Sequence, residues 1–344
     1  MSFSVVGIGE VLWDLLPAGA QLGGAPANFA YHAHALGATA SLVTRVGNDD
    51  LGKTIVERFE QMEIAGDTIQ VDDVAPTGTV TVALSRDGIP RYLIHENVAW
   101  DHLAVTTPAL TAVRAADAVC FGSLAQRGDI SRDAIQRLVA AASATALRVL
   151  DINVRQNYFS RLVIERSLRL ANVLKLNDDE LPILAQLFGL TGSIRHQIEA
   201  LTQAFSLQLV ALTRGPAGSL LFQAGEWSDC PSVPTIVVDT IGAGDAFTAA
   251  LVLGRLCHMP LHVINTLANE VARHVCSCTG ATPRLPQHLC DRYGAGNGAL
   301  ETVSGSMAAT RDTHHDDNRN HNNITCQESS ETRAVARETS RPRR

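Results

Sequence analysis

The chain has 344 residues, a formal net charge of −7, 46% hydrophobic and 18% charged residues. That acidic balance offers no basic field to nucleic acid or anionic lipid. No apolar run reaches the length of a membrane span, and the seven cysteines include no C-x-x-C pair of the zinc or redox kind. What remains is apolar material for one large α/β domain with an appendage, or two smaller domains, working on a small molecule in a reducing, cytoplasmic setting.

The N-terminus, MSFSVVGIGEVLWD, lacks a basic region followed by a long apolar one and reads as a first strand over 4–8. A segment carrying Gly19, Gly23 and Gly24 follows, then a helix over 27–36 closed by Gly37. A strand over 40–46, an acidic turn and a helix over 51–62 complete a βαβ pattern. Residues 78–94, GTVTVALSRDGIPRYLI, alternate on both sides of Asp87-Gly88, a hairpin signal. Helices are expected near 109–115, 131–144, 160–170, 179–187 and 194–204, with strands at 118–121, 148–152, 173–176, 209–213 and 219–223. Strands regularly separated by helices predict a mostly parallel sheet covered on both faces. Right-handed crossovers would gather the strand-end loops along one edge, where ligands bind in open α/β sheets.

Residues 239–247, DTIGAGDAF, stand between a β-branched run (Thr235, Ile236, Val237, Val238) and an Ala/Leu/Val-rich helical stretch from Ala246. Such a strand-to-helix turn can be no more than a tight turn. Its chemistry suggests more: Gly242 and Gly244 carry no Cβ, so N–H groups of the 242–245 turn, Ala243 included, can converge on an anion at a helix start. Asp245 then sits where a hydroxyl would meet a phosphoryl group, and phosphoryl transfer needs positioning, charge neutralisation and a proton acceptor. From about residue 294 the composition changes to Ser, Thr, Asn, His and Arg with few aliphatics, which predicts a disordered tail. His314, His315 and His321 read there as solvated polar residues, and Cys276 and Cys278 as small apolar helix residues.

Residues 47–54, GNDDLGKT, satisfy the P-loop pattern. Against that reading, Asp49 and Asp50 would place two carboxylates inside a phosphate cradle, which Coulomb repulsion opposes.

Four motifs occur in one order: GE-x-x-x-D at 9–14, GG-x-x-x-N at 23–28, VG-x-D-x-x-G at 46–52 and DT-x-GAGDAF at 239–247. With them the chain resembles the PfkB-type, ribokinase-like carbohydrate kinases over roughly residues 3–290. The resemblance implies a three-layer α/β sandwich with a central, mostly parallel sheet and a small β lid. It places the kinase domain at 1–292, with the lid from about 11–22 and 78–94 and a polar tail at 293–344. It reads 47–54 as a family signature in which acidic residues are expected.

By that resemblance Asp245 is the general base and Gly242, Ala243 and Gly244 the anion-holding turn. Asp14, Gly23, Gly24 and Asn28 correspond to sugar ligands, chemically apt because carboxylate and amide groups suit a polyol. Asp151, Asn153 and Arg155 match a D-x-N-x-R element near substrate and phosphate, with Arg155 as the substrate contact. Asn177, Thr213, Gly215, Gly218 and Asn269 correspond to nucleotide contacts, Glu180 to a magnesium contact through water, and Asp239 with the backbone near Gly280 to a monovalent-cation loop. The implied reaction is ATP-dependent phosphorylation of a sugar with Mg²⁺, and K⁺ where the cation loop is used. GGAPANFA and GIPRYLIHENVAWD look most like fructokinases, so fructose to fructose 6-phosphate comes first. Ribose, 2-keto-3-deoxygluconate and nucleosides compete, the acid needing a cationic partner such as Arg155 or Arg91. Exposed lid edges are compatible with a homodimer. Outside the class stand a P-loop nucleotide hydrolase using 47–54 and a non-catalytic sugar-binding relative.

Overall fold

The computed structural model describes residues 2–16, 19–84 and 90–294. The first part of the chain forms β1 (Ser4–Ile8), β2 (Leu12–Leu16), β3 (Gly19–Gly23), α1 (Ala25–Ala35), β4 (Thr39–Gly47), α2 (Asp50–Gln61), β5 (Ile69–Asp72), β6 (Thr79–Leu84) and β7 (Pro90–Ile94). The middle forms α3 (Thr107–Ala115), β8 (Ala118–Phe121), α4 (Asp129–Ala141), β9 (Leu147–Asp151), α5 (Arg161–Leu170), β10 (Val173–Asn177), α6 (Glu180–Phe188) and α7 (Ile194–Phe205). The last part forms β11 (Leu209–Thr213), β12 (Ser219–Gln223), β13 (Glu226–Cys230), α8 (Ala243–Leu256), α9 (Leu261–Cys276) and α10 (Gln287–Gly294).

Nine strands form the main sheet in the order β13-β12-β11-β10-β9-β8-β1-β4-β5. Pairing is parallel from β11 to β5 and antiparallel for β11 with β12 and β12 with β13. Successive side chains in a strand point to opposite faces, and the core divides accordingly. Val5, Val149 and Val173 pack with Phe29 of α1, Phe247 and Leu251 of α8 and Val271 of α9. Val6, Leu150 and Leu174 pack on the other face with Val113 of α3, Ile135 of α4, Ile164 of α5 and Leu201 of α7. Helix starts follow local chemistry: Asp49, Thr106, Ser160 and Ser193 each accept a hydrogen bond from a first-turn N–H of α2, α3, α5 and α7. The result is the expected three-layer α/β sandwich.

A second sheet, ordered β3-β2-β6-β7, pairs β2 parallel to β6 and leaves β3 and β7 as edges. Both segments expected to form the lid contribute to it, while the Asp87-Gly88 turn lies outside the described residues, as does the tail with its three histidines.

Three features depart from the sequence reading. The β-branched run 235–238 is no strand: it is irregular, with Ile236 87% exposed and Val237 and Val238 also exposed. β-Branched residues favour a strand only where a sheet offers a half-buried place, and this run has none. The glycine-rich 242–245 turn therefore follows a surface loop. Two strands were not expected: β5, IQVD, is very short, and β13, EWSDC, is a polar edge strand without a clean apolar alternation. Among the described residues, no helix is long and apolar enough to cross a membrane.

Candidate active site

The carboxyl ends of β1, β9, β10 and β11 and the starts of α1 and α8 meet along one sheet edge around a cleft of about 1140 Å³. At its centre, Asn28 Nδ2 donates to Asp245 Oδ2 at 2.8 Å across a sequence separation of 217. Burial, reinforced by the negative charge of Asp151, raises the Asp245 pKa to about 6, although the Asn28 hydrogen bond, Lys175 and Arg155 oppose the rise. A carboxylate so placed is ionised at neutral pH yet far more basic than an ordinary aspartate, the property a proton acceptor needs.

The turn that carries Asp245 depends on glycine. Gly242 has φ 78°, and a Cβ there would stand 2.4 Å from the Ala281 carbonyl oxygen. That carbonyl accepts from Nε2 of buried His32 at 2.9 Å, and burial lowers the His32 pKa to about 4, so the imidazole is neutral. Gly242, Ala243 and Gly244 all line the cleft, although the Ala243 N–H also reaches Thr240 O at 3.3 Å. A Cβ on Gly244 would stand 3.0 Å from Lys175 Nζ. The turn thus allows a buried ammonium to approach it from beneath.

Lys175 was not anticipated. It pairs with Asp151 at 3.0 Å, and Thr248 Oγ1 donates to the other Asp151 oxygen at 2.8 Å. Burial would lower the lysine pKa, but the charges of Asp151, Glu180 and Asp245 outweigh it and hold the pKa above its usual value. Asp151 does not line the cleft; it is the buried counter-ion of a lysine that does. The signal was a lone cation inside the apolar strand VLKLN, since a fully buried parallel strand admits a charge only with a partner.

On the proposed sugar side, Asp14, Gly23, Gly24, Asn28 and Arg155 all line the cleft. A Cβ on Gly23 would stand 2.5 Å from Asp14 Oδ2, and one on Gly24, where φ is 112°, 2.5 Å from the Glu10 carbonyl oxygen. Burial raises the Asp14 pKa against the pull of the Arg155 charge. Asn153 takes φ 46° and so turns the chain between β9 and Arg155. Glu10, quoted above only as part of GE-x-x-x-D, is a second missed residue: it lines the cleft, 2% exposed.

On the proposed nucleotide side, Asn177, Thr213, Gly215, Gly218 and Asn269 line the same cleft. Gly218 is required, because with φ 85° a Cβ would stand 2.0 Å from the Cys230 carbonyl oxygen. Asn269 donates to Ser219 Oγ at 2.6 Å and ties α9 to β12. Glu180 stands apart from the cleft lining: its oxygens accept from Val154 N at 2.9 Å and Asn177 N at 2.8 Å, while Asn177 Oδ1 accepts from Glu180 N. Each Glu180 oxygen thus accepts one backbone N–H, which fixes the carboxylate behind the ends of β9 and β10. Asp239 also lies outside the lining; it accepts from Ile241 N at 3.0 Å and Gly280 N at 3.1 Å, drawing the turn and the Gly280 loop together. Nothing is described of the Arg91 side chain.

The P-loop reading of 47–54 fails on geometry. Asp49 puts its own carboxylate where a phosphate would lie, accepting from Gly52 N at 2.8 Å and from Thr77 N and Oγ1 at 2.8 and 2.6 Å. Burial would raise its pKa, but these bonds outweigh that and hold it below the usual range. Lys53 is exposed and faces Asp50 at 3.6 Å. Lys53→Ala is therefore expected to leave nucleotide turnover unchanged, whereas Asp49→Ala should destabilise the fold by about 1–2 kcal/mol through loss of the cap, measured by denaturant unfolding.

Comparison with known proteins agrees. Residues 19–288 match the pfkB family carbohydrate kinase pattern. The chain is 30% identical over 307 residues to a putative sugar kinase of Pyrococcus horikoshii, covering 83% of this chain and 94% of the relative. It is 29% identical to a fructokinase of Klebsiella pneumoniae over 77% of this chain and 88% of that one. Among solved structures, the Pyrococcus horikoshii sugar kinase in complex with ATP superposes with a TM-score of 0.70 at 29% identity, covering 81% of this chain and 94% of that one. A phosphotransferase cleft on a ribokinase-like sandwich is what fold and site define together. The chain belongs to the pfkB family of carbohydrate kinases.

Proposed function

We propose that this kinase transfers the γ-phosphoryl group of ATP to a hydroxyl of fructose, giving fructose 6-phosphate, with Asp245 as general base. The Asn28–Asp245 hydrogen bond carries the reading: it joins the sugar motif near the N-terminus to the catalytic turn 217 residues further on, inside one cleft. The fructokinase relatives support the choice of sugar, and the ATP bound to the Pyrococcus horikoshii relative supports the donor.

In this mechanism Asp14, the backbone of Gly23 and Gly24, Asn28 and Arg155 orient the sugar, and Asn28 also fixes the carboxylate of Asp245. Asp245 takes the proton of the attacking hydroxyl, while N–H groups of the 242–245 turn meet the charge spreading over the phosphoryl oxygens. Asn177, Thr213, Gly215, Gly218 and Asn269 receive the nucleotide. Glu180 would help hold the magnesium ion that accompanies the nucleotide, and that ion would supply neutralisation of phosphate charge. Where a potassium ion is used, Asp239 and the backbone near Gly280 would hold it and it would supply further positive charge beside the 242–245 turn. The second sheet covers the sugar and excludes water that would otherwise hydrolyse ATP; its edges are where a homodimer would form.

A screen of ATP consumption by the purified protein against fructose, ribose, 2-keto-3-deoxygluconate and adenosine tests the assignment. Fructose should stimulate most; a different sugar would move the substrate within the family, and no stimulation by any would refute the kinase reading. The base makes a pH prediction as well. Because the Asp245 pKa is raised to about 6, kcat/KM should fall about tenfold per unit once pH drops below that value, well before an ordinary aspartate would protonate. A profile flat down to pH 5 would contradict it.

A further inference from the structure

Tyr158 joins two parts of the cleft that the mechanism treats separately. It stands between β9 and α5, and its N–H donates to the Arg155 carbonyl at 3.1 Å, closing a turn over 155–158. Its phenol donates to Glu96 Oε1 at 2.8 Å and more distantly to the Ile94 carbonyl at 3.4 Å, at the end of β7 in the second sheet. Ile94 and Arg155 line the same cleft, one on each side of that bridge. The loop between them needs holding: Asn153 and Gln156 take φ 46° and 48°, left-handed conformations that residues with a Cβ adopt only where their surroundings impose them. Upstream of Arg155, Val154 N donates to Glu180 Oε1 at 2.9 Å; downstream, the tyrosine is the anchor. Its ring packs under Arg127, whose guanidinium carbon lies 4.9 Å from the centroid of that ring and 3.9 Å from that of Trp100. Arg127 in turn forks onto Asp101 and donates to the His95 carbonyl at 2.6 Å, so the chain leaving β7 is fixed where the phenol meets it. Arg155 itself is exposed and its guanidinium donates to the adjoining Val154 carbonyl, so its placement follows the backbone of the turn.

Building on the sugar-kinase reading above, we infer that Tyr158 is a positioning residue: tied to Glu96 and the Ile94 carbonyl, it sets the 155–158 turn so that Arg155 faces the acceptor only while the second sheet is seated. The two ends of the side chain differ in role. The ring is structural, packed under Arg127 and against the apolar core. The hydroxyl is not needed for that packing. Its hydrogen bond to an exposed carboxylate adds little to folding, because both groups find water when it breaks, yet it is the link through which a shift of β7 reaches Arg155. An acceptor that uses the guanidinium, through a hydroxyl or an anionic oxygen, therefore feels the seating of the second sheet.

The test uses the full-length protein with fructose, or the sugar that wild type turns over fastest in the screen above. Tyr158→Phe keeps the ring and should leave the urea unfolding midpoint where it is, while the sugar KM rises about 3- to 10-fold, the worth of one such hydrogen bond, and the ATP KM stays constant. Glu96→Ala should raise the sugar KM similarly, and Glu96→Gln, which still offers the phenol an oxygen, should recover most of the loss. In an Arg155→Ala background the Tyr158→Phe change should cost nothing further, the non-additivity expected when one residue acts through another. Equal loss with and without Arg155 would overturn the inference. So would a Tyr158→Phe enzyme with the wild-type sugar KM, or one whose sugar and ATP KM rise together. Should Arg155→Ala turn over too slowly to assay, the same cycle is read as sugar affinity by calorimetry, where additive losses again refute the inference. Turnover of no sugar by wild type would refute the kinase reading and this inference with it, an outcome distinct from turnover with additive losses.

Discussion

Asp245→Asn is expected to lower kcat by about 10²- to 10⁴-fold, the loss typical of removing a general base. The same substitution should raise stability at neutral pH. The native pKa of about 6 lies above the ordinary aspartate value of 3.8, so the folded protein binds this proton more tightly than the unfolded chain does. Keeping the group ionised therefore costs stability above pH 6, by about 2–3 kcal/mol, and the cost fades as pH falls from 6 towards 4. An amide of the same shape removes the charge while still offering an oxygen to Asn28. The variant should melt a few degrees higher at pH 7.5, with the gain shrinking towards pH 4, while showing almost no turnover. That combination, measured by thermal unfolding across pH and an ATP-consumption assay, separates a functional carboxylate from a structural one. A variant that lost stability and activity together would point to a structural role.

The second large effect concerns the pair beneath the turn. Lys175→Met should cost about 3–5 kcal/mol in urea unfolding, because it strands the Asp151 carboxylate in the core. The pair is almost fully enclosed, with side-chain exposures of 8% and 5%, so water cannot rescue the orphaned charge. Adding Asp151→Asn removes that charge and leaves Thr248 a hydrogen-bond acceptor, so the double variant should recover most of the stability. Activity should not recover with it. Lys175 Nζ stands 3.0 Å from where a Cβ on Gly244 would lie, close enough for its charge to reinforce the turn proposed to meet the phosphoryl oxygens, and no neutral side chain replaces that. Additive stability losses in the double variant would contradict the account.

The architecture was legible where burial and period agree. β8, β9, β11 and β12 are apolar runs bounded by turn residues, and their strands fall within a residue or two of the expected places. β13 escaped notice because an antiparallel edge strand needs only backbone pairing, and Trp227 and Ser228 among charged residues give no period. The run 235–238 misled for the opposite reason: its residues suit a strand, but the sheet ends before it. The site motifs were readable because glycine leaves a mark that other residues do not, and Gly23, Gly24, Gly218 and Gly242 each occupy positions a Cβ would block. Lys175 left only the mark of a lone cation in an apolar strand, and His32 and Glu10 left no comparable trace. The importance of Lys175 and His32 comes from what the fold packs against them, a carboxylate and a carbonyl distant in sequence.

The most direct test of the central claim is a crystal structure of this protein with fructose, or the sugar it turns over fastest, and a non-hydrolysable ATP analogue. The account predicts one sugar hydroxyl about 3 Å from a carboxylate oxygen of Asp245, with the γ-phosphorus in line beyond it and its oxygens over the 242–245 turn. A sugar bound with no hydroxyl near Asp245, or a γ-phosphate held by residues 47–54, would contradict it.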